Sequence, residues 1–228
     1  MCWKANAAGP ALMARVCAEY GIALVHVRSD YVFDGTSELH TEDEPFAPID
    51  VYGQSRVAGD LAVGDCPKHY IACSIWAIGD GRNFVKMMMD LSNRVAAGEI
   101  PQVTVVGEQV GRLSFTRDIA EGIFWLLGYR EGGMEPSKPA PYGARNLTGS
   151  GQPKSWVDVA KRVFGLTNGN GEKVVPVAAA EYYASVQGLT SSCPEHSAMD
   201  LSKIQATSPN PLGWEQGLNE YDKGELAG

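Results

Sequence analysis

Ile22-Ala23-Leu24-Val25-His26-Val27-Arg28-Ser29-Asp30-Tyr31, followed by Val51-Tyr52-Gly53-Gln54-Ser55-Arg56, is the pair of stretches around which the chain is organised. The run Ile22 to Val27 is short and rich in aliphatic residues, and it is bounded by Gly21 and by the polar Ser29-Asp30. It reads as a buried parallel strand with a hydroxyl at its end. An acidic loop follows, Thr41-Glu42-Asp43-Glu44-Pro45, and a helical pattern then runs from Tyr52 through Asp60. Tyr52 and Arg56 are four apart, so they share one helix face.

A strand-end serine with a tyrosine and a cation one helical turn apart is what carbonyl–alcohol redox chemistry requires. Hydride reduction of a ketone needs a proton donor at the developing alkoxide. A phenol serves when a nearby cation favours its phenolate and lowers its pKa from about 10. The serine hydroxyl would hold the carbonyl oxygen by a hydrogen bond that strengthens as charge develops. With nine tyrosines and 19 lysines and arginines in the chain, the spacing alone is close to chance and equally describes a solvated helix face.

Longer patterns narrow the choice. Ser29-Asp30-Tyr31-Val32-Phe33-Asp34-Gly35, the Glu42-Asp43-Glu44-Pro45 loop, and Val51-Tyr52-Gly53-Gln54-Ser55 with Gly59-Asp60 resemble the dTDP-4-dehydrorhamnose reductases, a branch of the extended short-chain dehydrogenase/reductases. Ser74-Ile75-Trp76-Ala77-Ile78-Gly79 with Asn83-Phe84-Val85 resembles that family's strand with a substrate-facing tryptophan. Gly107 to Thr116 with Asp118-Ile119-Ala120 resembles its Asp-Gln-x-Gly-x-Pro-Thr segment. Ser155-Trp156 and Cys193-Pro194-Glu195-His196-Ser197 through Lys203 resemble its Ser-Trp and Arg-Pro-x-Asn-Ser signatures. The resemblance runs in order from about Asn6 to Trp214.

The resemblance implies an NADPH- or NADH-dependent reduction of a dTDP-linked 4-keto-6-deoxyhexose, dTDP-4-dehydrorhamnose to dTDP-L-rhamnose. Tyr52 would be the proton donor, Ser29 would hold the carbonyl oxygen, and the residue at Arg56 would supply the cation. Tyr52, Arg56 and Val27 would meet the cofactor; Ser29, Asp30 and Trp76 would meet the sugar nucleotide. Several positions depart from the family pattern. Arg56 stands where lysine is usual, a planar fork in place of a compact point charge. Arg28 replaces a small serine, Cys73 an arginine, Leu113-Ser114 a Pro-Thr pair, and Cys193 an arginine. Each cation lost from a nucleotide site removes a charge-assisted contact.

The implied fold is α/β: an incomplete doubly wound, Rossmann-like parallel sheet with a smaller C-terminal substrate-binding lobe. Residues 1–79 would belong to the nucleotide-binding half and 80–228 mainly to the substrate lobe, with about 118–148 returning to the sheet. A dinucleotide-binding sheet opens on a strand, a glycine-rich turn and a helix that hold the pyrophosphate. Here Met1 to Glu19 already reads as a helix, with Ala7, Ala8, Leu12, Val16 and Cys17 on its inner side. The preceding βαβ units, about 30 residues each, are expected to be missing. Gly79/Gly81, Gly149/Gly151 and Gly169/Gly171 read as turns without a strand–turn–helix setting. An uncovered parallel sheet predicts aggregation, a homo-oligomer or a partner chain over the exposed edge.

Composition sets bounds. With 228 residues, 44% hydrophobic and 20% charged, the chain can bury one sizeable core. A net charge of −8 argues against a nucleic-acid surface. Five cysteines without a Cys-x-x-Cys spacing fit a reducing cytoplasm better than disulfides or a zinc site, and no metal ligand set is expected. His26 reads as a core residue. Neither a membrane span nor a signal peptide is indicated.

Further along, the pattern predicts a strand from His69 to Trp76 and a helix from Asn83 to Ala97 with Phe84, Val85, Met87, Met88 and Leu91 inward. A strand is expected within Gln102 to Val106, and a helix from Asp118 to Tyr129 with Ile119, Ile123, Phe124 and Leu127 inward. Arg130 to Tyr142 reads as a surface loop, Asn146-Leu147-Thr148 as a strand, Ser155 as a helix N-cap, Lys173 to Val177 as a strand, and the tail after Leu218 as frayed. Two other classes stay open beside the reductase. One is a non-catalytic relative, as the regulatory subunit of methionine adenosyltransferase is of this family; the other is an α/β fragment without activity.

Overall fold

Helix α1 (Gly9–Tyr20) follows a π-helical turn at Lys4–Ala8 and enters β1 (Leu24–Arg28) through Gly21, whose φ of 67° closes the helix in the left-handed conformation that glycine adopts without strain. These coordinates are a computed structural model that describes residues 2–129, 138–185, 193–207 and 211–226. Next come α2 (Val51–Gly64), β2 (His69–Cys73), β3 (Ala77–Ile78), α3 (Phe84–Ala96), β4 (Val103–Val106), β5 (Val110–Gly111), β6 (Ser114–Phe115) and α4 (Thr116–Leu126). The chain continues with β7 (Gly143–Asn146), β8 (Lys154–Ser155), α5 (Trp156–Thr167), β9 (Val174–Val177), α6 (Ala179–Ser185), α7 (Ser202–Gln205) and α8 (Trp214–Leu226).

The fold is α/β with parallel pairing. Strands β1, β2 and β7 form a sheet in that order, parallel throughout, with Leu24 opposite His69 and Tyr70 opposite Gly143. Smaller parallel pairs join β3 to β6 and β4 to β9, while β5 and β8 pair antiparallel. The largest core lies around β4, β9, α3, α5 and α8, where Val85, Met88, Leu113, Val163, Phe164 and Leu218 are buried together.

Several expectations are corrected by packing. Strand β1 is buried on one face only: His26, as expected, and Arg28 are buried, while Val27 on the other face is exposed. In α1 the buried residues are Pro10 and Ala14. Leu12 and Val16 are exposed, since α1 meets α2 across a different face from the one the apolar pattern marks. In α3 Met89 is buried and Met87 is not, and in α4 Leu126 takes the inward place expected of Phe124. Strand β2 stops at Cys73 because Trp76 turns to a φ of 45°, which no strand can include. Strand β7 ends at Asn146, whose side chain bonds to the His40 and Asp200 carbonyls, although the Leu147 amide still donates to the Cys73 carbonyl at 2.8 Å.

The segment after Leu218, expected to fray, is helical through Leu226; residues 227–228 lie outside the described residues. It belongs to α8, where Tyr221 donates its hydroxyl to the Gly79 carbonyl at 2.8 Å and Asp222 is buried. Of the loop expected over Arg130 to Tyr142, residues 130–137 lie outside the described residues; beyond them the Ala140 carbonyl accepts from the Tyr70 hydroxyl. The acidic loop works as a fastener rather than a solvated turn. Glu42 accepts from the Asn146 amide at 2.9 Å, Asp43 pairs with Lys203 at 2.8 Å and Glu44 with His40 at 2.9 Å. Among the described residues no helix is long and apolar enough to cross a membrane.

Helix α2 is set down closely. Asp50 caps it by accepting from the Gly53 amide at 2.6 Å. A Cβ at Gly53 would collide with the Tyr31 carbonyl oxygen and come within 2.9 Å of Pro48 Cβ, and one at Gly59 would collide with the Asn6 carbonyl. Gly64, at the far end of the same helix, has nothing within 4 Å of such a Cβ. Gly53→Ala is therefore expected to lower unfolding stability by about 2 kcal/mol, the usual scale of forced overpacking. Gly64→Ala should be neutral or slightly stabilising; urea denaturation of both variants checks the contrast.

Candidate functional site

The end of β1 turns directly into the candidate site. Ser29, in extended backbone at a φ of −108°, caps a 3-10 turn over Asp30–Val32 by accepting from the Tyr31 amide at 3.4 Å. Its hydroxyl donates to Asp30 Oδ1 at 2.9 Å, and Ser197 donates to Asp30 Oδ2 at 2.6 Å. Asp30 is buried, and burial raises its pKa above the ordinary 3.8; the hydrogen bonds from Ser197 and then Ser29 act in the opposite direction without cancelling it.

Helix α2 brings the other half. The close approach at Gly53 sets Tyr52 edge-on to Tyr31, with ring centroids 5.2 Å apart and planes at 86°. One turn on, Arg56 donates from Nη2 to the Val27 carbonyl, while its Nε is buried without a hydrogen-bond partner. The Tyr31 hydroxyl lies 2.8 Å from Cys193 Sγ. Burial, reinforced by Cys193, holds the Tyr31 phenol neutral well above its usual range.

The opposite wall is aromatic. The Trp76 indole stacks on Trp156 with centroids 3.6 Å apart and planes at 17°, and Phe84 packs on Trp156 at 4.3 Å. Gly111 makes room for this stack, since a Cβ there would come within 2.9 Å of the Trp76 ring. The α5 helix that carries Trp156 is fixed by a capping box between Ser155 and Asp158.

All the candidate residues, Val27, Ser29, Asp30, Tyr52, Arg56 and Trp76, line one cavity of about 590 Å³. It is completed by Arg28, Tyr31, Gln109, Trp156, Cys193 and Ser197, among others. Sequence reading gave no role to Ser197, Gln109 or Trp156, although each lies inside a quoted motif. Nothing local marked Ser197 as the partner of Asp30, 167 positions away. Among the described residues no cluster of His, Cys, Asp or Glu could hold a metal ion, and the five cysteines form no disulfide. Gly79–Gly81 does join a strand to a helix, but β3 pairs outside the three-stranded sheet and Asn83 itself caps α3 through Lys86 N at 3.0 Å.

A family model described as the RmlD substrate binding domain matches residues 2–224. The chain belongs to this family. It is 30% identical over 218 residues to a dTDP-4-dehydrorhamnose reductase of Sinorhizobium fredii, covering 92% of this chain and 69% of that protein. Among solved structures it resembles a dTDP-4-dehydrorhamnose reductase of Clostridium acetobutylicum, with a TM-score of 0.81 at 29% identity, over 97% of this chain and 72% of the other. It also resembles the Bacillus anthracis reductase in complex with NADP, with a TM-score of 0.78 at 28% identity, over 95% and 70% of the two chains. In this family setting the parallel sheet β1-β2-β7 is a Rossmann-like one.

The Asp30 environment has a pH signature. Because the folded-state pKa lies above the unfolded 3.8, the native chain binds the proton more tightly, and stability falls as pH rises through the window above 3.8. At neutral pH a carboxyl that binds its proton more tightly in the native than in the unfolded chain costs stability that a neutral amide would not. Asp30→Asn is therefore expected to melt higher than the parent at pH 7, and the two should converge as pH falls toward 4. Thermal melts across pH 4–8 check the sign.

Proposed function

We propose that the chain reduces the 4-keto group of a dTDP-linked 6-deoxyhexose, converting dTDP-4-dehydrorhamnose to dTDP-L-rhamnose in the cytoplasm with NADPH or NADH. The observation that carries this reading is that Ser29, Tyr52 and Arg56 line the same cavity as Trp76 in a chain of this family. Residues up to 79, with about 118–148, serve the nucleotide-cofactor side, and the remainder serves the sugar.

The residues at the end of β1 fit a nicotinamide ribose. Tyr52 and Arg56 would hold it from α2, Val27 would offer backbone at the strand end, and the Arg56 Nε, buried without a hydrogen-bond partner, would be the donor left for it. When bound, the cofactor supplies hydride to the carbonyl carbon. Tyr52 passes its phenolic proton to the carbonyl oxygen, and the Arg56 guanidinium balances the charge left behind. Ser29 must rotate its O–H from Asp30 to the substrate oxygen; Ser197 keeps one of the Asp30 oxygens satisfied while it does so. Trp76 and Trp156 supply an apolar wall for the deoxysugar ring.

One observation favours a second reading, sugar-nucleotide binding without turnover. Arg56 already spends a donor on the Val27 carbonyl, and a planar guanidinium does not rotate its donors as an ammonium does. The loss of NADPH absorbance with dTDP-4-dehydrorhamnose separates the two. The reductase reading predicts turnover that Tyr52→Phe lowers by about 10²–10⁴-fold and that Arg56→Lys raises. Saturable binding of dTDP-L-rhamnose with no turnover, in the parent and in Arg56→Lys alike, would contradict it and leave the binding reading.

A further inference from the structure

We propose that Arg28 is a positioning residue for this site: through buried Asp60 it fixes the height of α2 on β1, and with it the placement of Tyr52 and Arg56 relative to Ser29. The proposal rests on the roles of those three residues given above, and deepens them.

Arg28 closes β1 immediately before Ser29, and Asp60 sits one turn beyond Arg56 on α2. Their side chains are 2% and 0% exposed, and His26 beside them 9%. Arg28 Nε stands 3.7 Å from Asp60 Oδ2, and His26 Nε2 stands 3.1 Å from Oδ1. Neither carboxylate oxygen reaches hydrogen-bond geometry, so the attraction is ionic rather than directional. In so dry a place it acts at longer range than in water, and removing one member strands a buried charge.

The leverage comes from the helix. Tyr52, Arg56 and Asp60 follow one another at four-residue spacing along one side of α2. Each has its own hold on the β1 segment: Asp60 on Arg28 and His26, Arg56 on the Val27 carbonyl, Tyr52 on Tyr31. The Asp60 hold is the deepest, so a slip there moves the other two. Arg28 also lies over Phe33 and Phe46, at 5.4 and 5.8 Å from the ring centres, and so restrains the segment that leaves Ser29.

The sheet register adds an independent argument. Arg28 and Cys73 are direct partners across the parallel β1–β2 pair, so their side chains emerge on the same face, about 4.8 Å apart. A guanidinium can therefore enter the space beside Asp60 from either position. This chain has arginine at 28 and a small side chain at 73. The Cys73 thiol is fully buried and pushed up to about 11, mainly by that burial, and it acts as a neutral filler.

Hydrogen exchange of the full chain tests this, because it needs neither substrate nor cofactor. Arg28→Ser should speed exchange of the α2 amides about tenfold beyond any change in α5 or α8. Adding Cys73→Arg should restore α2 and, with it, the affinity for dTDP-L-rhamnose. Exchange that rises equally in all helices, or a folded double variant with no local recovery, would overturn the proposal. If Arg28→Ser does not fold, a double variant that folds supports the proposal, since a guanidinium from position 73 then does the work of Arg28. If neither folds, Asp60→Asn decides: α2 should loosen locally in it, and unchanged α2 protection would overturn the proposal. Absence of turnover in the parent would count against the reductase reading while leaving the exchange result intact.

Discussion

Helix α2 approaches β1 and the Ser29 turn with backbone against backbone, and the rest of the site follows from that contact. At Gly53 and Gly59 there is no space for a β-carbon, so the helix can settle against the Tyr31 and Asn6 carbonyls. Three side chains from one stripe then take fixed places along the strand and the turn that leaves it. The gathering of a strand-end hydroxyl, a phenol and a cation around one cavity is a product of how closely a helix and a strand are docked. Packing that close is unforgiving, which is why a methyl group at Gly53 is predicted to be felt and one at Gly64 is not.

The site combines a polar and an apolar half. On the β1 side Ser29, Asp30 and Ser197 form a short hydroxyl–carboxyl chain with every bond between 2.6 and 2.9 Å. On the other side Trp76, held at a left-handed φ of 45°, is pressed between the room left by Gly111 and the face of Trp156. Backbone strain of this kind persists where the surroundings enforce it, and it clusters at functional sites. A deoxysugar, with one polar edge and one apolar face, matches such a division. At the rim of the cavity Cys193 Sγ lies 2.8 Å from the Tyr31 hydroxyl.

The short-range parts of this arrangement were legible in the sequence. The strand before Ser29, the helix after Asp50, the Ser155 cap and the inward place of Val85 and Met88 all follow from periodicity and capping chemistry. What stayed hidden was decided by tertiary contact. Leu12 and Val16 carry an apolar pattern that α1 does not bury, while Arg28, polar by type, is buried beside Asp60. Met87 and Phe124 yielded the inward positions to Met89 and Leu126 because helix rotation is set by the partner helix rather than by local hydrophobicity. The Asp30–Ser197 bond joins residues 167 positions apart, and the register that sets Arg28 beside Cys73 joins two strands; neither pairing can be read from local sequence.

The central claim is that this cavity receives a dTDP-linked deoxysugar against Trp76. Titration of the full chain with dTDP-L-rhamnose, followed by tryptophan fluorescence, tests it most directly. The account predicts a saturable change in emission that Trp76→Ala abolishes and that free thymidine reproduces only weakly. No saturable change in the parent, or an unaltered affinity in Trp76→Ala, would contradict it.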